Sequence, residues 1–304
     1  MKKIIVVRTM IIVETAQNNF KTVDTGSAKS QHNNFKGWAC GAGMDFLWIN
    51  SNGYIFGNVC RHSGCYGNIY ENFELPKEPM ICPANSCYCA SDLKIPKTKN
   101  SESWNFFNER IKIVDTTKIC KLEQNTEIIS VFGSDKISNI FQINWNLGKR
   151  CNYNCSYCPA SVHDNFSKHV LFDNFKKGFD RILTQIGNCF DLKITFTGGE
   201  PTLNPEYLDI VEYAVSNGAT VITNTNGTAS LNKMKKLMAY GGLNISIHNQ
   251  YDQKKLINKL WQLCKQDTGF VTVKYMLAPG KLQECKKFLE QLPENTNTFK
   301  CNIE

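Results

Sequence analysis

The chain has no apolar run long enough to cross a membrane. The longest near its start, Ile4 to Val13, is interrupted by Arg8 and falls well short of the roughly 20 residues that a span needs. Met1-Lys-Lys ahead of that run imitates a signal peptide, but Arg8 breaks the apolar region and no small-residue cleavage site follows cleanly, so secretion is not expected. Nor is there a long run of one charge. The formal +8 is spread over 35 basic and 27 acidic side chains, which reads as solvated surface rather than as the footprint of a nucleic acid. No internal repeat is apparent. Global disorder is excluded, because 42% of the 304 residues are hydrophobic, enough for one large core or two modest ones.

Cysteine, by contrast, is in excess. A soluble protein of this size needs far fewer than 14 for packing, so a disulfide framework or bound metal has to account for many of them, and their spacing decides between the two.

From Asn139 onward, strand-like apolar runs alternate with helical patterns, the signature of repeated βα units around a parallel sheet. Strands are expected at Ile140 to Leu147, Leu192 to Thr197, Thr220 to Thr225, Leu243 to His248, Val271 to Leu277 and Thr298 to Ile303. Helices are expected near Leu171 to Gly187, Pro205 to Ser216, Ser230 to Tyr240, Asp252 to Lys265 and Lys281 to Leu292, each long enough for a right-handed crossover. Such an α/β array is an open doubly wound sheet or a partial barrel, and in both the ligand binds at the carboxyl ends of the strands. With no closing helix after the sixth strand, the chain reads as naturally short or as a fragment.

The first 138 residues read differently. Gln17 to Lys36 is polar and Asn-rich, as a connection would be, and Asp92 to Glu109 is rich in Lys, Ser and Asn. Between them, Trp38 to Cys89 packs six cysteines among glycines and short β-like runs such as Phe46 to Ile49, a composition expected of a small domain held by metal rather than by a core.

Directly after the first strand of the βα region stands Cys151-Asn-Tyr-Asn-Cys155-Ser-Tyr-Cys158, a CxxxCxxC array on the loop where a βα fold places its active site. Three thiolates can hold three corners of a cubane iron–sulfur cluster and leave one iron open, whereas the fully ligated cluster takes four. A structural zinc site is the alternative, and His163 is near enough in sequence to be its fourth ligand.

The array resembles the CxxxCxxC signature of the radical S-adenosylmethionine superfamily, including the aromatic residue, Tyr157, before the third cysteine. Thr195-Phe-Thr-Gly198-Gly199-Glu200-Pro201, after the second strand, resembles the family's GGEP motif. The resemblance implies a 4Fe-4S cluster on Cys151, Cys155 and Cys158 that cleaves S-adenosylmethionine reductively, with Tyr157 near the adenine. It assigns Gly198, Gly199 and Glu200 to cofactor binding; adjacent glycines let backbone approach a ligand closely, and a carboxylate accepts from an ammonium. At later strand ends it suggests Asn224 and Ser246 for the ribose and carboxylate of the cofactor, although Asn is also a standard turn residue. His248 and Lys274 point to the same mouth, with structural roles as the other reading.

In the amino-terminal region, Cys40, Cys60, Cys65, Cys82, Cys87 and Cys89 fall in one window. The stretch from Cys40 through Gly43, Ile49 and Gly53 to Cys60 resembles the opening of a SPASM or twitch auxiliary-cluster domain. It departs from that pattern in preceding the barrel, in the six residues between Gly53 and Cys60, and in Cys87-Tyr-Cys89 where a CxxC step is usual. An auxiliary iron–sulfur cluster and a structural zinc ribbon both remain open there. Disulfides are disfavoured, since a cluster with an open iron is best kept in a reducing cytoplasm. Cys120, Cys189, Cys264, Cys285 and Cys301 are scattered, with packing as their default role.

The combined expectation is a strand and polar linker over residues 1–36, a cysteine-rich SPASM-like domain over 37–95, a linker over 96–137, and a radical SAM partial (β/α)6 barrel of TIM-like type over 138–304. The function expected is hydrogen abstraction from a peptide or protein substrate, started by an electron from a donor such as flavodoxin or ferredoxin. An RNA-modifying enzyme and a non-enzymatic zinc or iron–sulfur adaptor are the alternatives; no recognisable RNA-binding module supports the former.

Overall fold

The structure, a computed structural model, describes residues 10–16, 19–26, 28, 32–99, 119–120, 122, 125–133, 139–187, 190–251, 253–266, 268–293 and 299–303. It divides into two compact units, one built on residues 8–144 and 178–192, the other on 145–177 and 193–304.

The first unit is rich in short strands. A hairpin of β1 (Met10–Ala16) and β2 (Asn19–Asp24) is followed by β3 (Ala39–Cys40), β4 (Phe46–Ile49), β5 (Tyr54–Phe56), β6 (Cys65–Asn68) and β7 (Met80–Ile81). A single helical turn, α1 (Ala90–Leu93), precedes β8 (Lys97–Thr98) and β9 (Ser130–Gly133). One sheet runs in the order β2-β1-β9-β8-β3-β7, and β4, β5 and β6 form a separate antiparallel ladder.

This region has a core of its own, contrary to the expectation from its composition. Ile11, Val13, Val23, Phe35, Phe46, Leu93, Ile95 and Val131 pack into one buried apolar cluster that takes in Cys40 and Cys82. Asn19–Asp24 is a strand rather than connection, and Lys97–Thr98 and Ser130–Gly133 are paired strands in a stretch that reads as linker. Polarity hid them for a physical reason: short strands are joined by backbone hydrogen bonds that any residue can make, and buried Lys97, Thr98 and Ser130 are polar and leave no apolar signature. Two buried charged residues tie the unit together. Asp92 accepts from the backbone N–H groups of Val59 and Cys60 through its two carboxylate oxygens, both at 2.9 Å. Lys97 donates to the carbonyl of Ile95 at 2.8 Å and to that of Asp92.

From β10 (Ile140–Asn146) the chain alternates as expected: α2 (Phe172–Ile186), β11 (Asp191–Thr197), a 3-10 turn (Pro201–Leu203), α3 (Tyr207–Ser216), β12 (Ala219–Thr225), α4 (Leu231–Ala239), β13 (Gly241–His248), α5 (Lys254–Leu263), β14 (Phe270–Leu277), α6 (Leu282–Glu290) and β15 (Phe299–Ile303). Within the second unit the sheet order is β15-β14-β13-β12-β11, and the registers from β12 to β15 are parallel. Strict alternation of burial along β14 shows why its period reads as strand, with Val271, Val273, Tyr275 and Leu277 turned to the core. Trp145 stacks 4.8 Å from Phe175 and 6.3 Å from Phe196, and Phe196 meets Tyr207 at 6.0 Å, an aromatic core beneath the strand ends. Among the described residues no helix is long and apolar enough to cross a membrane.

Candidate functional site

The loop that leaves β10 is laced to the end of β11 by backbone. Leu147 N donates to Thr197 O at 2.9 Å, Gly199 N to Gly148 O at 2.9 Å, and Glu200 N to Arg150 O at 2.8 Å. The glycine pair makes this possible. A β-carbon on Gly199 would lie 2.3 Å from the carbonyl oxygens of both Lys149 and Arg150, and one on Gly198 would lie 2.5 Å from that of Gly148. Gly198 also has φ +138°, which only glycine adopts readily. The close approach read from the sequence is therefore first an approach of backbone to backbone, directly ahead of Cys151. Cys151 N in turn donates to Asp164 O at 2.6 Å, and Asp164 N to Lys149 O at 2.9 Å, closing the cysteine loop on itself.

That loop and the later strand ends enclose one cavity of about 200 Å³. Its wall contains Cys151, Cys155 and Cys158, with Tyr157 between them, together with Gly198, Gly199, Asn224, Ser246, His248 and Lys274. Strand register explains the later members: Asn224 and Asn244 are Cα partners on β12 and β13, as are Ser246 and Lys274 on β13 and β14, so their loops open at one end of the sheet. Asn224 Oδ1 accepts from Asn244 Nδ2 at 2.8 Å, which orients its amide.

Glu200 stands apart from this wall. It is 1% exposed, and its carboxylate is occupied by the protein: Oε1 accepts from Thr202 N at 3.1 Å, Thr202 Oγ1 at 2.5 Å and Thr225 Oγ1 at 2.8 Å, and Oε2 from Asn226 N at 2.6 Å. Burial pushes its pKa up, and the donors oppose that shift. The carboxylate turns inward because the turn that follows β11 and the carboxyl end of β12 present four donors to it.

Several neighbours were not singled out in the sequence. Asn226 Nδ2 donates to Asn152 Oδ1 at 2.9 Å and lies 4.0 Å from Cys151 Sγ. After β13, Gln250 Oε1 accepts from Ser156 N at 3.0 Å, and Tyr251 Oη accepts from Asn154 N at 2.6 Å. Tyr251 stacks on Tyr153 at 3.7 Å, and the edge of Tyr153 meets His248 at 5.5 Å. Interleaving of tyrosines with the cysteines was the available signal; the Gln250 and Tyr251 partners had none, because they depend on where β13 ends. His163, the candidate zinc ligand, has Nδ1 3.2 Å from Pro159 O and Nε2 3.2 Å from Asn154 Oδ1, so both ring nitrogens face protein partners.

Burial pushes the thiols of Cys151 and Cys155 above their ordinary pKa, and burial likewise takes His248 down to about 4, leaving the imidazole neutral at pH 7. In the first unit Cys40 and Cys82 are buried, Cys87 and Cys89 half-buried, and Cys60 and Cys65 exposed. Burial pushes Cys60 up to about 11 and Cys87 up to about 12. None of the 12 cysteines whose side chains are described is in a disulfide, and among the described residues no three His, Cys, Asp or Glu side chains are gathered closely enough for a single metal ion. A cubane spreads its thiolates over separate irons and does not require that convergence. Cys285 is buried in α6, consistent with packing; Cys189 lies outside the described residues.

Residues 145–265 match the family described as the radical SAM superfamily. An Fe-coproporphyrin III synthase of Methanosarcina barkeri is 31% identical over 99 residues, covering 33% of this chain and 24% of that protein. An S-adenosylmethionine-dependent nucleotide dehydratase of Selenomonas ruminantium is 33% identical over 92 residues, covering 30% of this chain and 32% of that protein. The chain thus spans about a quarter to a third of the length of these curated relatives. Among solved structures, Streptococcus suis SuiB bound to precursor peptide SuiA aligns with 55% of this chain and 40% of its own at TM-score 0.46 and 11% identity. Residues 145–265 are thus the part of this chain that matches the radical SAM superfamily, as a radical SAM domain.

Proposed function

We propose that this protein is a radical S-adenosylmethionine enzyme in which Cys151, Cys155 and Cys158 ligate a 4Fe-4S cluster. The observation that carries the reading is the presence of three thiols, with no fourth among the described residues, on one cavity wall with Gly198, Gly199, Asn224 and Ser246. That donor set fits a cubane with one open iron. A cluster held there would supply one electron to S-adenosylmethionine, whose C5′–S bond would break to give methionine and a 5′-deoxyadenosyl radical able to take hydrogen from a substrate. The protein's own residues bind and orient: Tyr157 beside the adenine, Asn224 and Ser246 on the ribose and carboxylate, and the backbone of Gly198 and Gly199 at the methionyl end. Glu200 acts at one remove, holding Thr225 and Asn226 where they border the cavity. His248 closes the wall beside Cys155.

The domain is read as a partial (β/α)6 barrel. For the first unit we propose an auxiliary iron–sulfur site of SPASM-like type among Cys40, Cys60, Cys65, Cys82, Cys87 and Cys89. Cys40, Cys82 and Cys87 are the stronger candidates because Cys40 and Cys82 lie in one buried cluster with Cys87 packed against it, whereas exposed Cys65 Sγ meets Gly67 O at 3.5 Å. On that basis the substrate is a peptide or protein, and the electron donor a flavodoxin or ferredoxin in the cytoplasm. The relatives named for nucleotide and coproporphyrin chemistry favour a small-molecule substrate as the second reading.

The test is anaerobic reconstitution, with iron and sulfide counted per chain and 5′-deoxyadenosine release measured under dithionite. About four irons with release indicate one cluster, and about eight or more add an auxiliary one. Cys155→Ala should lose one cluster's iron and all release while remaining folded. Zinc without iron and no 5′-deoxyadenosine would overturn the reading.

A further inference from the structure

The Cys155 sulfur has polar side-chain company from the end of β13. His248 Nδ1 lies 3.4 Å from Cys155 Sγ and also meets the Tyr157 hydroxyl, which itself hydrogen-bonds to the same sulfur. Cys151 Sγ accepts from the backbone N–H of Tyr153 at 3.4 Å and lies 4.0 Å from the Asn226 amide. The imidazole is held in place from several sides. It is the last residue of β13, its carbonyl accepts from Gln253 Nε2 at 2.6 Å, its ring lies parallel to Tyr157 within 3°, and Tyr153 abuts it edge-on. Cys155 is 6% exposed, so these bonds form where little water competes.

We propose that His248 is a positioning residue which, with Tyr157, donates hydrogen bonds to the Cys155 sulfur and thereby raises the reduction potential of the cluster. The inference rests on the assignment of Cys155 as a cluster ligand. A ligating thiolate has no proton to give, so the shared proton must come from its neighbours. A neutral imidazole carrying its proton on Nδ1 donates to the sulfur and to Tyr157 Oη, while the Tyr157 O–H donates to the sulfur. One-electron reduction places more negative charge on the cluster sulfurs, which strengthens both bonds in the reduced form; hydrogen bonds to the sulfurs are among the features that set cluster potential. Cα pairing of His248 with Met276 on β14 anchors the donor on the sheet rather than on the cysteine loop, so the bond spans two separate elements.

The test compares the reconstituted wild-type protein with His248→Phe, which keeps a stacked ring and removes both nitrogens, and His248→Asn, whose amide N–H can reproduce Nδ1–H. The readout is the midpoint of the cluster's EPR signal in a dithionite redox titration without S-adenosylmethionine, alongside iron and sulfide content. His248→Phe should load a full cluster whose reduced-to-oxidised ratio at a fixed potential falls about tenfold, about 59 mV for a one-electron couple, and His248→Asn should recover most of it. A full cluster in His248→Phe with the wild-type midpoint overturns the inference and leaves the cluster assignment standing. A wild-type protein that takes up no cluster overturns the assignment instead. Should His248→Phe fail to fold, Tyr157→Phe removes the other donor from the same sulfur, and an unshifted midpoint there also overturns the inference.

Discussion

Replacing Glu200 by Gln separates a carboxylate that holds the fold from one that grips a ligand. The amide can keep its oxygen toward Thr202 N, Thr202 Oγ1 and Thr225 Oγ1, but its NH2 then faces Asn226 N–H, at the position where Oε2 now accepts at 2.6 Å. One buried N–H is stranded, at about 1–3 kcal/mol, and the three remaining bonds lose their charge assistance. Relief of burying a charge, which already pushes the Glu200 pKa up, offsets part of this. The net expectation is a loss of about 1–3 kcal/mol for Glu200→Gln and about 3–5 kcal/mol for Glu200→Ala, which strands every donor. Urea unfolding at pH 7.5 measures both through the shift in midpoint at constant slope. Because Asn226 borders Cys151, weaker S-adenosylmethionine binding should accompany the lost stability. If Glu200→Gln stayed within about 0.5 kcal/mol of wild type and still failed to bind S-adenosylmethionine, the structural reading would be refuted and the carboxylate returned to the ammonium.

Three further outcomes follow from named contacts. Gly199→Ala drives a β-carbon to 2.3 Å from two backbone oxygens, so the β11 end must separate from the Gly148–Arg150 stretch. Overpacking of about 1–3 kcal/mol plus two weakened backbone bonds should appear as a lower urea midpoint and reduced iron uptake; full uptake at wild-type stability contradicts it. Asp92→Ala, which strands the N–H groups of Val59 and Cys60, should cost about 2–4 kcal/mol in the first unit, read as faster hydrogen exchange at those two amides; unchanged protection there rules it out. Cluster loading should weaken as pH falls. Burial holds the Cys151 and Cys155 thiols above their ordinary pKa, ligation needs thiolates, and protons therefore compete ever more strongly below it. Iron uptake during reconstitution at pH 7 and pH 9 checks the sign, and equal uptake and rate at both would count against it.

The βα half was readable because its information is local. Alternation along β14 follows from side-chain period alone, and CxxxCxxC with GGEP carried the resemblance to the radical SAM superfamily. The amino-terminal half was not, because β2, β8 and β9 are short strands joined through backbone groups that every residue carries. Its core is assembled from residues as distant as Ile11 and Val131, which no window of sequence brings together.

At the site the division is sharper. Residue type and spacing alone determined which thiols belong to one loop, whereas strand register gathers Asn224, Ser246 and His248 at its cavity. Only the tertiary structure decided that Glu200 faces inward, since that depends on donors from Thr202, Thr225 and Asn226 meeting at one point. Only the tertiary structure set His248 beside Cys155, 93 residues away in the chain, because parallel register places the end of β13 against a loop that leaves β10. Spacing within a motif is held by covalent geometry, whereas partners across a sheet are selected by packing, which acts on the whole chain at once.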